Sequence, residues 1–292
     1  MQTESTVQIA HLSDLHLPLP VPMPLAGFVS KRLLGWLNLR LLRTDHELAR
    51  FERLLELAAG RGWPELTVLS GDLVNLALPA EYEQVCALMR RGGLEPARCM
   101  VLPGNHDRYT PSADAGGAFE RGMRDWLPPG FGRRSYPQVR VLGPLLVIGL
   151  DSAVWRGPIR AAGRLDRAQL GRLPALLDSH PGLHPVIALH HPPWRLDGPL
   201  MHHYRAGLAG FASLLAAIGD RPATVLCGHL HRALRRRAGR VEILAAPSAS
   251  LRSGDPLEQS ACHVYTFDAG GLRQARAWRY GDRFEEVDLA GL

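Results

Sequence analysis

Five short clusters with one layout constrain this chain more than anything else in it: an apolar run, then a turn carrying side chains that bind metals. They are Asp14-Leu15-His16 after Val7-Gln8-Ile9-Ala10-His11-Leu12, Gly71-Asp72 after Leu66-Thr67-Val68-Leu69, Gly104-Asn105-His106-Asp107 after Cys99-Met100-Val101-Leu102, His190-His191 after Val186-Ile187-Ala188-Leu189, and Gly228-His229-Leu230-His231 after Thr224-Val225-Leu226-Cys227. Asn, His and Asp are common in loops for backbone reasons, so no single cluster carries weight. Short apolar runs closed by turn residues read as buried strands. In open α/β sheets, functional groups gather outside the carboxyl ends of strands. All five clusters sit there, so they can converge on one cleft.

The remaining pattern fills in the layers. Residues two apart in extended chain point the same way, so Asp14 and His16 face one point. Pro18, Pro20, Pro22 and Pro24 bar helix and central strand in the next passage. From Leu25 to Arg43, Leu33, Leu34, Leu37 and Leu41 share a helical face with Arg32, Arg40 and Arg43 beside it, predicting a basic amphipathic helix. Thr44 or Asp45 is placed to cap a helix to about Gly60, with Glu47 completing a capping box on Thr44. Helices are also predicted over Pro79–Arg91, Gly116–Leu127, Asp166–Ser179 and Gly207–Gly219. Strand pairs follow at Val139–Leu142 with Leu145–Leu150. The end of the chain is all strand, at Ala233–Arg237, Val241–Ala245, Cys262–Phe267 and Gln274–Tyr280. Helices alternating with strands, then strands alone, predict an α/β fold: a two-sheet αββα sandwich with helices on the outer faces. No repeat, low-complexity tract or linker interrupts the chain, and one domain over 1–292 is expected.

Composition excludes several classes. Apolar residues make up 46% and charged residues 21% of 292, ordinary for a soluble globular chain. No apolar run approaches the roughly 18 residues of a membrane span, and the polar start Met1–Thr6 does not read as a signal peptide. Cys86, Cys99, Cys227 and Cys262 are scattered without a CxxC pair, which fits buried thiols and a cytoplasmic location. The net charge is +6, yet Lys31 is the only lysine. That bias reads as base composition rather than a nucleic-acid surface, so dedicated nucleic-acid binding is not expected.

Asp14, His16, Asp72, Asn105, His190, His229 and His231, with His106 left over, are too many ligands for one tetrahedral ion and suit two ions sharing a carboxylate. Asp72, on a short Gly-Asp turn, suits the shared position. A nitrogen and oxygen set without thiolate fits two divalent ions, Fe, Mn or Zn.

The series Asp14-Leu15-His16, Gly71-Asp72, Gly104-Asn105-His106-Asp107, His190 and Gly228-His229-Leu230-His231 resembles the calcineurin-like metallophosphoesterases over about residues 7–235. The resemblance implies one metal held by Asp14, His16, Asp72 and His231, and a second by Asp72, Asn105, His190 and His229. It implies that His106 contacts the phosphate and assists the leaving group, with Asp107 orienting it. His191 is the adjacent alternative to His190. Protein phosphatases of this family carry an Asp and an Arg soon after the Gly-Asp turn, where this chain reads Leu73-Val74-Asn75-Leu76. Gly71-Asp72-Leu73 with Glu81-Tyr82 is similar to the bacterial cyclic-nucleotide phosphodiesterase branch. A small phosphodiester or nucleotide is therefore the expected substrate. Rival readings are a UDP-diacylglucosamine-type pyrophosphatase, for which the 25–43 segment would meet a lipid or membrane surface, an exonuclease, and a non-catalytic metal-binding scaffold. An oligomer is compatible with all of them. His202 and His203 read as a solvated loop pair, with substrate contact in the cleft the alternative, His11 reads as a hydrogen-bonded core residue, and Arg235-Arg236-Arg237 as a charged sheet edge or a phosphate attractor.

Overall fold

A computed structural model describes residues 6–18, 32, 45–157, 160–194, 206–280 and 284–289. The 25–43 helix, apart from Arg32, and the His202-His203 pair lie outside the described residues. Arg32 donates from Nε to Leu76 O at 2.9 Å and from Nη2 to Ala77 O at 3.0 Å.

Two six-stranded sheets form the interior. The first comprises β1 (Val7–Leu12), β2 (Leu66–Leu69), β3 (Cys99–Val101), β12 (Ala261–Asp268), β13 (Gly271–Tyr280) and β14 (Phe284–Asp288), ordered β14-β13-β12-β1-β2-β3. The second comprises β4 (Gln138–Leu142), β5 (Leu145–Gly149), β7 (His184–Ala188), β9 (Ala223–Cys227), β10 (Leu234–Ala238) and β11 (Val241–Ala245), ordered β10-β11-β9-β7-β5-β4. Short strands β6 (Gly163–Arg164) and β8 (Leu208–Ala209) pair with each other. β1, β2 and β3 run parallel, as do β5, β7, β9 and β11, so all five expected clusters leave the same kind of strand end.

The layers follow from alternation along each strand. In β1, Val7 and Ile9 face the other sheet while Ala10 and Leu12 face the outer helices. Val68, Met100, Val147, Val186, Leu226 and Tyr265 fill the space between sheets. Outside the first sheet pack α1 (Leu48–Arg61) and α2 (Pro79–Arg91). Phe51, Leu54, Leu55 and Ala58 form the buried stripe of α1 at the spacing a 3.6-residue turn requires. Outside the second sheet lie α5 (Arg167–Asp178) and α6 (Phe211–Ile218), anchored by Leu173, Leu177, Leu214 and Ile218. The arrangement is the expected αββα sandwich.

Local boundaries differ where pairing overrides propensity. The first outer helix begins at Leu48 with Glu47 at its N-cap position and without a side-chain cap. Asp45 does not cap it, because residues 45–47 are drawn toward 250–252: Glu47 N donates to Ser250 O at 2.9 Å and Arg252 N to Asp45 O at 2.6 Å, while the other expected cap, Thr44, lies outside the described residues. Of the helix expected over Gly116–Leu127 only α4 (Ala118–Gly122) and a 3₁₀ turn at Arg124–Trp126 form, and a separate helix α3 (Pro111–Ala115) precedes them. Gly117, at φ 63° in the left-handed region, separates α3 from α4 and delays the start of the expected helix to Ala118. The helix expected from Gly207 starts only at Phe211, since Leu208–Ala209 pairs as strand with Gly163–Arg164. By contrast Asp166 caps α5 as expected, accepting from Gln169 N. Arg235-Arg236-Arg237 lies on edge strand β10, where Arg235 pairs with Glu242 at 2.6 Å.

Candidate metal centre

The turns that carry the clusters are backbone-strained. Among the described residues, the non-glycine positions with positive φ are Asp14, His16, Asp72, Ala77, His229 and His231. All but Ala77 are expected ligands. Left-handed backbone is costly for residues with a Cβ and persists where surrounding structure over-determines it. Here the surroundings are other turns of the same centre: Asp14 N donates to Gly71 O at 3.0 Å and His16 N to Asp72 O at 3.2 Å. Two glycines make the close approach possible. A Cβ on Gly228 would lie 1.8 Å from Ser13 Oγ and 2.5 Å from Asp14 Oδ2, and one on Gly104 would lie 2.2 Å from Asp72 Oδ1.

Each aspartate divides its oxygens between scaffold and centre. Asp14 Oδ2 accepts from His229 N at 2.8 Å, leaving Oδ1 at 3.2 Å from His231 Nε2 and 3.8 Å from His16 Nε2. Asp72 Oδ1 accepts from His106 N at 2.7 Å, leaving Oδ2 at 3.3 Å from His16 Nε2 and 3.4 Å from His190 Nε2. Asp72 Oδ2 thus stands between two histidines that belong to different turns. Asp14, His16 and His231 form one group that could hold a cation, and Asp14, Asp72 and His190 another.

Several of these atoms are buried with no hydrogen-bond partner among the described residues: Asp14 Oδ1, Asn105 Oδ1, His190 Nε2 and His191 Nε2. Unpaired buried acceptors are costly, and a cation is the partner that would satisfy lone pairs on oxygen and nitrogen together. The residues therefore fit divalent metal. His190 Nδ1 bonds Ser70 O at 2.8 Å, and a carbonyl can only accept, so the proton sits on Nδ1 and the Nε2 lone pair faces the carboxylates. His191 bonds Ser152 Oγ through Nδ1 and groups only with His190 and His229. Its ring lies 4.7 Å from that of His229.

The charges are strongly coupled. Burial alone would raise the carboxyls of Asp14 and Asp72. The neighbouring histidines reverse this, led by His231 and His190 at Asp14 and by His190 and His106 at Asp72, and hold both well below the usual range. Burial opposes charge on His16 and His190, yet the two aspartates raise them to about 10 and about 9. Protons here occupy places where the carboxylates demand positive charge.

His106 is turned by a different residue from the one expected. Its Nδ1 donates to Asn75 O at 2.9 Å. Asp107 is fully buried, and its Oδ2 instead accepts from Gly104 N at 2.8 Å and Leu73 N at 3.3 Å, tying the two ligand loops together. Burial, then the charge of Asp72, lifts its carboxyl to about 7. The 72–78 loop is held by Glu81, which accepts from the amides of Asn75, Leu76 and Leu78.

Sequence reasoning missed His46, whose ring lies 4.9 Å from His16 and 5.3 Å from His231. Ser250 Oγ donates to Leu15 O at 2.5 Å and Ser248 Oγ to Asp14 O at 2.6 Å, so each hydroxyl proton is committed. His46 Nδ1 must then donate to Ser250 Oγ at 2.8 Å, which leaves its Nε2 an acceptor. His46 follows no apolar run, and the strand-end layout could not reveal it. Ser248 and Ser250 do follow strand β11, but as hydroxyls they carried no metal signal. His11 is the core residue expected, bonded to Ser70 Oγ at 2.8 Å.

The model of the calcineurin-like phosphoesterase family matches residues 7–233. A 3',5'-cyclic-nucleotide phosphodiesterase of Nostoc is 29% identical over 250 residues, which cover 85% of this chain and 80% of that protein. The 3',5'-cyclic adenosine monophosphate phosphodiesterase of Escherichia coli is 26% identical over 244 residues, covering 79% of this chain and 80% of that one. A dimetal phosphatase of Danio rerio superposes with a TM-score of 0.58 at 11% identity over 97% of this chain and 99% of that one, a likeness of fold. With the sandwich and the aspartate–histidine centre in place, the chain belongs to the calcineurin-like phosphoesterase family and is a metal-dependent phosphoester hydrolase.

Proposed function

We propose that the protein is a phosphodiesterase of small phosphodiesters, cyclic nucleotides foremost, working with two divalent cations. The observation that carries the reading is Asp72 Oδ2, a single carboxylate oxygen between His16 Nε2 at 3.3 Å and His190 Nε2 at 3.4 Å. Asp14, His16, Asp72 and His231 would hold one ion, and Asp72, Asn105, His190 and His229 the other. When bound, such a pair supplies Lewis-acid activation of water and neutralises phosphate charge. The names of the Nostoc and Escherichia coli relatives support cyclic nucleotides as the substrate class.

The protein's own groups then have defined tasks. Asn75 O fixes the tautomer of His106, so Nε2 is the nitrogen that exchanges protons with a bound ester. In the neutral ring that atom accepts, and a proton for the departing oxygen comes from the doubly protonated ring. Asp107 keeps the loops of Asp72 and Asn105 in register, and Asn105 Oδ1 offers a neutral donor where a third carboxylate would overload the charge. The four cysteines are buried and free, which supports a reducing compartment, the cytoplasm. Among the described residues no helix is long and apolar enough to cross a membrane.

The test is a substrate panel on protein loaded with Mn or Fe: cyclic AMP, bis(p-nitrophenyl) phosphate, UDP-2,3-diacylglucosamine and linear duplex DNA. Turnover of the first two with the others inert is expected. Preference for the lipid-linked pyrophosphate or for DNA would overturn the substrate assignment.

A further inference from the structure

Beside Asn105 and His106 opens a cavity of about 280 Å³ whose other walls are Tyr109, Trp155, Arg156 and Arg160. Trp155 is 36% exposed, and among the described residues the other exposed large hydrophobics are Val139 and Val141, both on edge strand β4. An indole left partly open at the mouth of a catalytic cleft offers a flat face for a planar ligand. The ring is presented on an anchored loop. Trp155 N donates to Asp114 Oδ2 at 3.2 Å, and Ala153 N donates to Asp151 Oδ1 at 2.8 Å. Asp151 in turn pairs at 2.7 Å with the fully buried Arg108, which also holds Glu120 at 2.6 Å. Across the cavity, Tyr109 lies 5.3 Å from the His106 ring at 31°. Arg156 Nε is buried without a hydrogen-bond partner among the described residues, a donor that lacks its acceptor.

A flat aromatic wall and cationic planar groups on the rim that carries Asn105 and His106 match a ligand whose phosphate is attached to a flat, acceptor-rich ring. We propose that this cavity is the nucleobase subsite: the base of the substrate stacks on Trp155 while the guanidinium of Arg156, on the cavity wall, meets a base or sugar oxygen or nitrogen. The inference rests on the phosphodiesterase reading and deepens it, since it assigns substrate selection to Trp155, Arg156 and Arg160 rather than to the ligand turns. The cavity sits near the small end of ligand sites, roughly 300–1,000 Å³, which suits one nucleoside.

Trp155→Ala and Trp155→Phe, compared on cyclic AMP and on the methyl riboside 3',5'-cyclic phosphate that lacks a base, test it. Stacking on one aromatic side chain predicts that Trp155→Ala raises KM for cyclic AMP about 5- to 100-fold. Turnover of the base-free diester and bound metal should be unchanged, and Trp155→Phe should restore most of the loss. An equal effect on both substrates, or none on either, overturns the subsite. Calorimetry with adenosine 5'-monophosphate separates the two claims. If cyclic AMP is not hydrolysed but the monophosphate binds in a Trp155-dependent manner, the subsite stands and the phosphodiesterase reading falls. If the monophosphate binds alike to wild type and Trp155→Ala, the subsite falls by itself.

Discussion

The two walls of the cleft are built on opposite plans. On one side the turns after β1, β2, β7 and β9 hold Asp14, His16, Asp72 and His190 nearly or wholly out of solvent and His229 and His231 half-buried, several in left-handed backbone. Every carboxylate there spends one oxygen on a backbone amide. On the other side the loop after β5 presents Trp155 and Arg160 to solvent, fastened at its base by Asp151, Ser152 and Asp114. Charge placement tolerates almost no latitude, because centres of like sign a few Å apart are repulsive unless each is pinned. Recognition of an organic group tolerates more, so it can reside on an open loop. Chemistry and selection are therefore separable in this fold.

Substitutions on the pinned wall should remove the reaction, whatever the substrate. The largest effect is expected from Asp72→Asn, about 10⁴-fold or more in kcat on every phosphodiester, because several kcal/mol of charge stabilisation depend on the cations that it would hold. Rates that fell for cyclic AMP alone would break the division between walls. Next, His106→Ala should keep its metal by elemental analysis and lose about 10²–10³-fold on cyclic AMP, with a smaller loss on a nitrophenyl ester that needs no proton. Equal losses on both would assign His106 to binding instead. Gly228→Ala is expected to cost about 10- to 100-fold, since its Cβ would displace Ser13 and the Asp14 carboxylate behind the ligands. Activity near wild type would mean that the turn relaxes at no cost.

The last effect concerns stability beneath the pinned wall rather than rate. His11 and His263 are cross-strand partners in β1 and β12, and burial depresses both to about 3. Folded, they stay neutral; unfolded, each takes up a proton below pH 6.5. Stability is therefore full above about pH 6.5 and falls as the pH drops toward 3, by about 1.4 kcal/mol per unit for each ring. Urea midpoints measured across that range should slope downward, and less steeply in His11→Gln. A flat profile would mean that the rings are charged in the native state.

Much of the pinned wall was legible in the sequence because its information is local: an apolar run fixes a strand, and the next residues must sit at its end. Asp14, His16, Asp72, Asn105, His190, His229 and His231 all follow that rule, and the two-sheet layering follows from the same runs. What was not legible depends on contacts between distant segments. The first outer helix starts at Leu48 because residues 45–47 pair with 250–252, and the same pairing brings His46 beside His16. The carbonyl of Asn75, rather than Asp107, turns His106, and no backbone acceptor carries a side-chain signature. Trp155 and Arg156 lie in a loop with no periodicity, so only the fold reveals that they border the cleft.

The most direct measurement is anomalous diffraction at the Mn or Fe edge from crystals of the loaded protein. Two peaks flanking Asp72 Oδ2 are expected, one beside Asp14, His16 and His231 and one beside Asn105, His190 and His229, both gone in Asp72→Asn. A single peak, or a pair that leaves Asp72 uncoordinated, would contradict the shared-carboxylate centre.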